Sequence, residues 1–120
     1  MREIKFRGFS VIGEWYYGDL SRPTVGEYSN RTFIQGKTGN LAYEVRPETV
    51  GQFTGLLDKN GKEIYEGDIV YSKFETDNGP ILHTDVVIYH EGAFYPVCDK
   101  FNYQIEVKGN IYENPDYLKN

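Results

Sequence analysis

Short alternations of apolar and polar residues run along most of this chain, and they predict β-strands. In Arg2–Arg7, charged residues alternate with Ile4 and Phe6, which predicts a half-buried strand with Ile4 and Phe6 on its inner face. Tyr, Phe, Val, Ile and Thr fill the other apolar runs, whereas Ala and Met are scarce, and this composition favours strands over helices. The sequence therefore predicts an all-β protein.

Turn-forming residues separate these runs. Asp58–Gly61 ends in Asn-Gly, which predicts a tight hairpin, and Gly36–Asn40 predicts a second one. Ser21–Asn30 and Glu75–Pro80 are rich in turn formers and are expected to be mobile loops. The pair Arg46-Pro47 predicts a change of chain direction.

The chain is long enough for one compact domain, because 120 residues can bury about two-thirds of their unfolded surface. We expect a single domain over residues 1–120, with an N-terminal β extension over residues 1–47. Residues 48–120 hold enough short strands to predict a small SH3-like β-barrel. The pair Asn114-Pro115 predicts a short helical turn near the C-terminal end.

Charge and composition exclude several classes of protein. The net charge of −5 argues against a surface that coats nucleic acid without sequence preference. No run approaches the roughly 18 apolar residues of a spanning helix, so no membrane association is expected. The single cysteine, Cys98, forbids an internal disulfide, and the first residues lack the apolar segment of a signal peptide. The cytoplasm is the expected compartment.

Three ordered segments of the chain are familiar. They are Met1–Arg7 at the start, Val50–Leu56 together with Asp58–Val70 in the middle, and Gly109–Pro115 near the end. Together these segments resemble the YopX family of phage and prophage proteins. The resemblance implies a small, mostly β protein encoded by mobile elements and located in the cytoplasm of the bacterial host, and it implies no reaction. Gly8-Phe9 departs from the Ala-Trp pair that is frequent in the family at this point.

Four residues have the chemistry of metal ligands. His83 and Asp85 lie two apart on a predicted strand and so share a face, and His90 and Glu91 follow at the next turn. A metal-dependent hydrolase is the least favoured hypothesis, because structural metal sites usually have four closely spaced ligands. An exposed strand face explains the pattern better.

The remaining catalytic patterns are weak. Glu66-Gly67-Asp68 offers two carboxylates, but an aspartate after glycine is more typical of a turn whose side chain bonds the local backbone. Gly36–Gly39 contains Gly-Lys-Thr without the earlier glycine of a phosphate-binding loop, where Arg31 stands instead. Cys98 is interpreted as an inert thiol. We therefore expect no enzyme activity and no cofactor.

The excess of aromatic residues is more informative. Eleven Tyr, seven Phe and one Trp exceed what a small core encloses, so some should be exposed, as at protein interfaces. The competing explanation is that each tyrosine packs its ring and leaves only its hydroxyl in water. The leading hypothesis is a self-associating accessory protein that binds a host or phage protein. Its candidate aromatic surface comprises Trp15, Tyr16, Tyr17, Tyr43, Tyr65 and Tyr112.

Nucleic-acid binding is the alternative. Residues 1–60 carry eight Lys and Arg against seven Asp and Glu, which gives this half a net charge of +1 and the other half −6. Aromatic side chains near basic residues are typical of proteins on which bases stack. The candidate residues for this alternative are Lys5, Arg7, Arg31, Lys37 and Arg46.

Overall fold

Antiparallel strands make up most of the structure, a computed structural model that describes residues 3–36, 41–97 and 104–118. The strands are β1 (Phe6–Phe9), β2 (Trp15–Ser21), β3 (Phe33–Gln35), β4 (Ala42–Glu44), β5 (Gly51–Leu57), β6 (Glu63–Tyr65), β7 (Asp68–Thr76), β8 (Gly79–Val86), β9 (Ile88–His90), β10 (Ala93–Tyr95) and β11 (Ile105–Asn110). Short 3₁₀ turns cover Pro47–Thr49 and Pro115–Leu118. The all-β prediction and the helical turn near the C-terminal end are confirmed.

The chain divides into two compact units, Met1–Phe53 and Thr54–Asn120. Strand β5 begins in the first unit and ends in the second. The subregions predicted from the sequence, 1–47 and 48–120, divide just before β5 instead. The predicted change of direction at Arg46-Pro47 is present as the 3₁₀ turn Pro47–Thr49.

The first unit is an antiparallel sheet in the order β4-β3-β2-β1-β5. Beyond the ends of β1 and β4, Ser10 pairs with Val45, so these two strands come together although they are three places apart in the sheet. A side chain at Gly8 would collide with Val45, because an added Cβ would lie 2.7 Å from a methyl carbon. This close approach leaves no room for a side chain at position 8 of β1.

Strand β1 differs from its prediction. It begins at Phe6 rather than at residue 2, Ile4 is exposed, and Arg7 is only 6% exposed. The inward position of Arg7 follows from its neighbours: its guanidinium carbon lies 4.6 Å from the ring centre of Trp15, which also packs against Phe9. A guanidinium can be buried in this way because it stacks on an aromatic face.

The second unit contains the three-stranded sheet β11-β7-β8, the hairpin of β9 and β10, and β6 beside the second half of β5. Its core consists of Ile64, Val70, Val87, Phe94, Val97, Ile105 and Val107. Each fully buried side chain of this kind stabilises the fold by roughly 1.5–3 kcal/mol relative to an exposed one.

The predicted SH3-like barrel is wrong. In the described part of the second unit, the strands form separate sheets, and no continuous ladder closes on itself. Strand β8 ends at Val86, and Val87 turns inward into the core with its backbone bonded to Gly67 and Asp68. This inward turn separates β8 from β9, so the ladder of β7 and β8 does not continue into the β9–β10 hairpin.

The expected mobile loop at Glu75–Pro80 is also wrong. Strands β7 and β8 pair without interruption from Ile69↔Val86 to Thr76↔Gly79, and only Asp77 and Asn78 connect them. The Thr76 hydroxyl donates to the Gly79 carbonyl oxygen and accepts from the Asn78 N–H. Asn-Gly in such a short connection is the composition of a tight hairpin, and this pairing pattern outweighs the polar content of the segment.

The hairpin at Asp58–Gly61 is confirmed, and its aspartate has a larger role than turn formation. The Asp58 carboxylate accepts hydrogen bonds from the backbone N–H groups of Asn60, Lys62 and Val107, at 2.8, 2.9 and 2.9 Å. Burial opposes ionisation of this group, but the three donors together outweigh burial and lower the pKa of Asp58. One carboxylate therefore ties the β5–β6 turn to β11.

Glu66-Gly67-Asp68 is a structural turn, as the sequence favoured. Asp68 is almost fully buried and accepts a hydrogen bond from the Tyr65 N–H at 2.8 Å. Gly67 has a φ of 92°, and an added Cβ would lie 3.1 Å from the Tyr112 ring. Its N–H donates to the Val87 carbonyl oxygen, and its own carbonyl oxygen accepts from the Ile111 N–H. The middle and final family-like segments therefore meet at this turn.

Candidate functional site

A stacked pair of tyrosines lies on the surface of the first unit. The rings of Tyr16 in β2 and Tyr43 in β4 are parallel within 2°, with centres 4.0 Å apart. Adjacent β2 residues point to opposite faces of the sheet, so the Tyr16 side chain points away from the face of Trp15 and Tyr17 and towards Tyr43. The sheet thus brings together two residues of the predicted aromatic surface that are 27 positions apart in the sequence.

Two exposed aliphatic residues lie beside this stack. Val11 and Ile12 form the tip of the β1–β2 turn and are 68% and 73% exposed. The turn is fixed by hydrogen bonds from the Ser10 N–H to the Glu14 carbonyl oxygen and from the Gly13 N–H to the Ser10 carbonyl oxygen. Because the backbone fixes this turn, the two apolar side chains are held out from the protein. We call Val11, Ile12, Tyr16 and Tyr43 the tyrosine patch.

The tyrosine patch surrounds a small depression. Its volume is about 190 Å³, and it is lined by Ser10, Val11, Ile12, Tyr16, Tyr43 and Glu44. The Tyr16 hydroxyl donates to the Glu14 carboxylate at 3.0 Å. Partial burial of the ring and this hydrogen bond raise the pKa of Tyr16, so the hydroxyl stays neutral. The depression is thus apolar with acceptor oxygens at its margin.

The opposite side of β2 is occupied differently. Trp15 lies between Phe9 and the Arg7 guanidinium and is half-buried. Tyr17 pairs with Arg7 across the β1–β2 ladder and is exposed. These residues belong to the predicted aromatic surface, but strand alternation places them on the face away from the tyrosine patch.

Two residues of the predicted aromatic surface lie in the second unit and are structural. Tyr65 is 2% exposed, and its hydroxyl donates to the Glu63 carboxylate, so it is not available to a partner. Tyr112 is half-buried and packs over Gly67. For both residues the competing explanation, in which the tyrosine ring packs against the protein, describes the structure better.

The basic residues of the nucleic-acid alternative do not form one free surface. Arg7 is buried, and Arg31 donates two hydrogen bonds to Glu44, which raises the pKa of Arg31 and lowers that of Glu44. Lys5 lies 3.7 Å from the Glu3 carboxylate and over the Phe53 ring. Arg46 is exposed. Lys37 lies outside the described residues. Cys98, interpreted from the sequence as an inert thiol, also lies outside them.

The four metal candidates do not assemble. His83 and Asp85 share a face of β8, and the His83 ring lies edge-on to Phe74. His90 lies 3.6 Å from its neighbour Glu91. Over residues 3–36, 41–97 and 104–118, no three His, Cys, Asp or Glu side chains meet in a way that could hold a metal ion.

Sequence reasoning missed Val11 and Ile12. Two adjacent aliphatic residues just before Gly13-Glu14 were a usable signal, because apolar side chains at a turn tip have no core to enter. Only the structure shows that these residues lie against Tyr16 and Tyr43.

Comparison with solved structures shows that another protein has the same fold. A crystal structure of protein EF1440 from Enterococcus faecalis is similar, with a TM-score of 0.62 and 23% identity, over 99% of this chain and 100% of that one. This likeness shows a shared fold. A search of curated protein sequences finds no significant match.

Within the described ranges, no helix has the length and apolar content needed to cross a membrane.

The family model of the YopX protein matches residues 5–119, nearly the whole chain. The match covers all three segments on which the sequence resemblance was based, apart from the first few residues. The protein belongs to the YopX family.

Proposed function

We propose that this protein is a non-enzymatic, self-associating accessory protein of a phage or prophage, which acts in the host cytoplasm and binds a host or phage protein through the tyrosine patch. The observation that supports the proposal is the exposure of Val11 and Ile12 beside the Tyr16–Tyr43 stack. Exposed apolar groups that are contiguous and held by a fixed backbone are typical of protein-binding surfaces, whereas isolated ones are common everywhere.

The chemistry of the tyrosine patch favours protein over nucleic acid as the partner. Tyr16 and Tyr43 stack on each other, so each ring already uses one of its faces. The charged groups at the patch are Glu14 and Glu44, which would repel phosphates, although Arg31 neutralises Glu44. The net charge of −5 acts in the same direction.

The depression defines what the partner should present. A volume of about 190 Å³ accommodates one aliphatic or aromatic side chain. Transferring such a side chain from water supplies roughly 1.5–3 kcal/mol, which is enough for an anchor residue at the centre of an interface. The Glu14 carboxylate, which accepts from the Tyr16 hydroxyl, can also accept hydrogen bonds from N–H groups beside that anchor. The expected partner is therefore a protein segment with an apolar anchor flanked by donors or basic residues.

The experiment is an affinity capture from host lysate with and without phage gene expression, read by mass spectrometry. Three baits are compared: the wild type, Ile12→Asp in the tyrosine patch, and Val25→Asp as the matched control. Val25 is also an exposed β-branched residue of the first unit, 82% exposed, and lies outside the depression. Half of each sample is treated with nuclease.

The proposal expects one protein at near-stoichiometric amount, retained by the wild type and Val25→Asp and reduced at least tenfold by Ile12→Asp. Nuclease should not change the result. Loss of the captured protein on nuclease treatment would instead favour the nucleic-acid alternative. Equal retention by Ile12→Asp and Val25→Asp would exclude the tyrosine patch as the binding surface.

A further inference from the structure

Strand β8 forms an edge of the sheet β11-β7-β8, and no described strand pairs with its outer side. The opposite edge of the same sheet is different. There, the Ile105 carbonyl oxygen accepts from the Lys59 N–H, and the Val107 N–H donates to the Asp58 carboxylate. One edge is thus capped by the Asp58 turn, whereas no described strand pairs with the outer side of the eight residues of β8.

The hydrogen bonds of β11 determine which β8 residues direct their backbone N–H and C=O groups to the outer edge of the sheet. Ile105 and Val107 of β11 direct these backbone groups away from β7, so their partners on β7, Ser72 and Val70, bond to β8 instead. Their partners on β8 are His83 and Asp85. Antiparallel pairing alternates, so the backbone groups of the residues between them point to the outer edge. These outward residues are Pro80, Leu82, Thr84 and Val86.

Pro80 supports the same assignment. The ladder runs through Glu75↔Pro80 although proline has no N–H, which is tolerated where the nitrogen faces away from the neighbouring strand. Proline blocks further pairing only at its own position. Beyond it, Leu82, Thr84 and Val86 keep outward N–H and C=O groups, and Leu82 is 75% exposed.

The rest of β8 lacks the usual protection of an edge strand. Exposed edges normally carry lysine or other charges that prevent pairing with another chain. Within Gly79–Val86 there is no lysine, arginine or glutamate, and Asp85 is the only carboxylate. A second strand can therefore approach without repulsion.

We infer that the outer edge of β8 pairs with β8 of a second copy of this chain, antiparallel and centred on Thr84. In this register Leu82 lies opposite the second copy's Val86, and His83 lies opposite its Asp85. The outward backbone groups of Leu82, Thr84 and Val86 then form six hydrogen bonds, by the alternation of an antiparallel ladder. The result is one six-stranded sheet across a two-fold axis.

Charge complementarity selects the second copy and this register. A two-fold axis perpendicular to the sheet leaves each face of the sheet on the same side, and directly opposed residues of an antiparallel pair also share a face. The axis must therefore lie where a residue is opposite its own copy, not between two successive positions of the strand. Centring on Thr84 places each His83 imidazole opposite an Asp85 carboxylate and leaves Pro80 outside the central ladder. Centring on His83 would oppose two histidines, and centring on Leu82 would oppose Pro80 to Thr84. Only the first register satisfies both polar side chains.

The inference deepens the self-association part of the proposed function and uses a surface separate from the tyrosine patch. The two proposals therefore fail separately. Loss of the dimer in a β8 variant leaves the tyrosine patch intact, and Ile12→Asp leaves β8 intact.

The first test is sedimentation equilibrium of the full chain, with a 13.9 kDa monomer as the reference mass. The wild type should sediment at twice this mass at high micromolar concentration. Asp85→Lys should raise the dimer dissociation constant about tenfold, because two cross-strand pairs are lost per dimer. The double variant H83E/D85K should restore dimerisation by exchanging the polarity of the pair. Asp77→Lys, with the same charge change at the hairpin tip, should stay within about twofold of wild type.

The second test measures the register. In a Cys98→Ser background, Thr84→Cys should form a disulfide-linked dimer on mild oxidation, because directly opposed residues have Cα atoms about 5.5 Å apart. Leu82→Cys should not, since its two copies would be separated by four positions of pairing. Ile12→Asp is measured alongside and should dimerise like the wild type.

Four outcomes overturn the inference. A wild-type monomer at high micromolar concentration excludes it. A dimer also excludes it if Asp85→Lys leaves the dissociation constant unchanged and Thr84→Cys forms no disulfide. Crosslinking of Leu82→Cys in place of Thr84→Cys excludes the register. If Ile12→Asp abolishes the dimer and Asp85→Lys does not, self-association occurs through the tyrosine patch and the β8 inference is wrong.

Discussion

Two turns of this protein, one in each unit, show opposite uses of a hairpin. The β5–β6 turn directs its side chain inward: Asp58 is 6% exposed and accepts three backbone hydrogen bonds. The β1–β2 turn directs Val11 and Ile12 outward, where they contribute little to the core. The first turn belongs to the family-like segments and stabilises the fold. The second lies outside them and leaves apolar surface available to a partner.

The comparison separates stability from binding. Residues that satisfy buried polar groups should affect the free energy of unfolding when they are replaced, because an unpaired buried donor loses its solvation. Residues of the exposed turn should leave that free energy nearly unchanged and alter only recognition.

Asp58→Ala should destabilise the protein by roughly 2–4 kcal/mol, because it leaves the N–H groups of Asn60, Lys62 and Val107 without their acceptor. Asp77→Ala is the matched control, since Asp77 is an exposed aspartate in the β7–β8 turn, and it should stay within about 0.5 kcal/mol of wild type. Urea unfolding followed by fluorescence measures both. Equal effects of the two substitutions would contradict a structural role for Asp58.

Gly67→Ala should cost roughly 2–3 kcal/mol, because alanine is strained at a φ of 92° and its Cβ would press on Tyr112. Gly13→Ala at the exposed turn is the control. Gly13 has a φ of 90°, but an added Cβ would meet no atom within 4 Å, so only the backbone strain of about 1 kcal/mol remains. The difference between the two unfolding free energies measures the contact with Tyr112, and no difference would exclude that contact.

The depressed pKa of Asp58 makes the second unit sensitive to acid. A carboxylate whose folded pKa lies below its unfolded value of about 3.9 contributes stability above that value and loses it as pH falls through the folded pKa. We expect the unfolding free energy to fall as the pH decreases below about 5. Asp58→Asn should show a flatter dependence over this range in urea titrations. A parallel pH profile for the two proteins would show that other carboxylates cause the loss.

Ile12→Asp should change the unfolding free energy by less than about 0.5 kcal/mol, because its side chain is already exposed. The same substitution should prevent partner capture, as described above. Thermal unfolding monitored by circular dichroism provides the check. A large loss of stability would show that Ile12 belongs to the core and that the two turns do not differ as described.

Local patterns predicted much of the fold. Asn60-Gly61 identified one hairpin, and Glu66-Gly67-Asp68 identified a structural turn, because glycine at positive φ and aspartate at a turn act through neighbouring backbone groups. The polar content of Glu75–Pro80 predicted a mobile loop, but a tight hairpin forms there. Alternation misled at Arg7, because Trp15 provides a stacking surface that the sequence of β1 does not reveal.

The candidate site was predicted in part. The sequence indicated excess aromatic residues and named Tyr16 and Tyr43, but it named Tyr65 and Tyr112 equally, although these lie in structural positions. Exposure depends on which residues pack above a ring, and those residues come from distant strands. Val11 and Ile12 were missed because their significance depends on Tyr43, more than thirty positions away.

By itself the sequence determined the β class, the glycine turns and the family, since each of these depends on local backbone preferences or on ordered motifs. The tertiary structure decided that the strands form separate sheets rather than a closed barrel, which tyrosines are exposed and which edge of the β11-β7-β8 sheet is capped. These features depend on contacts between residues far apart in the chain. Such contacts are set by the packing of whole strands, and no short segment of sequence specifies them.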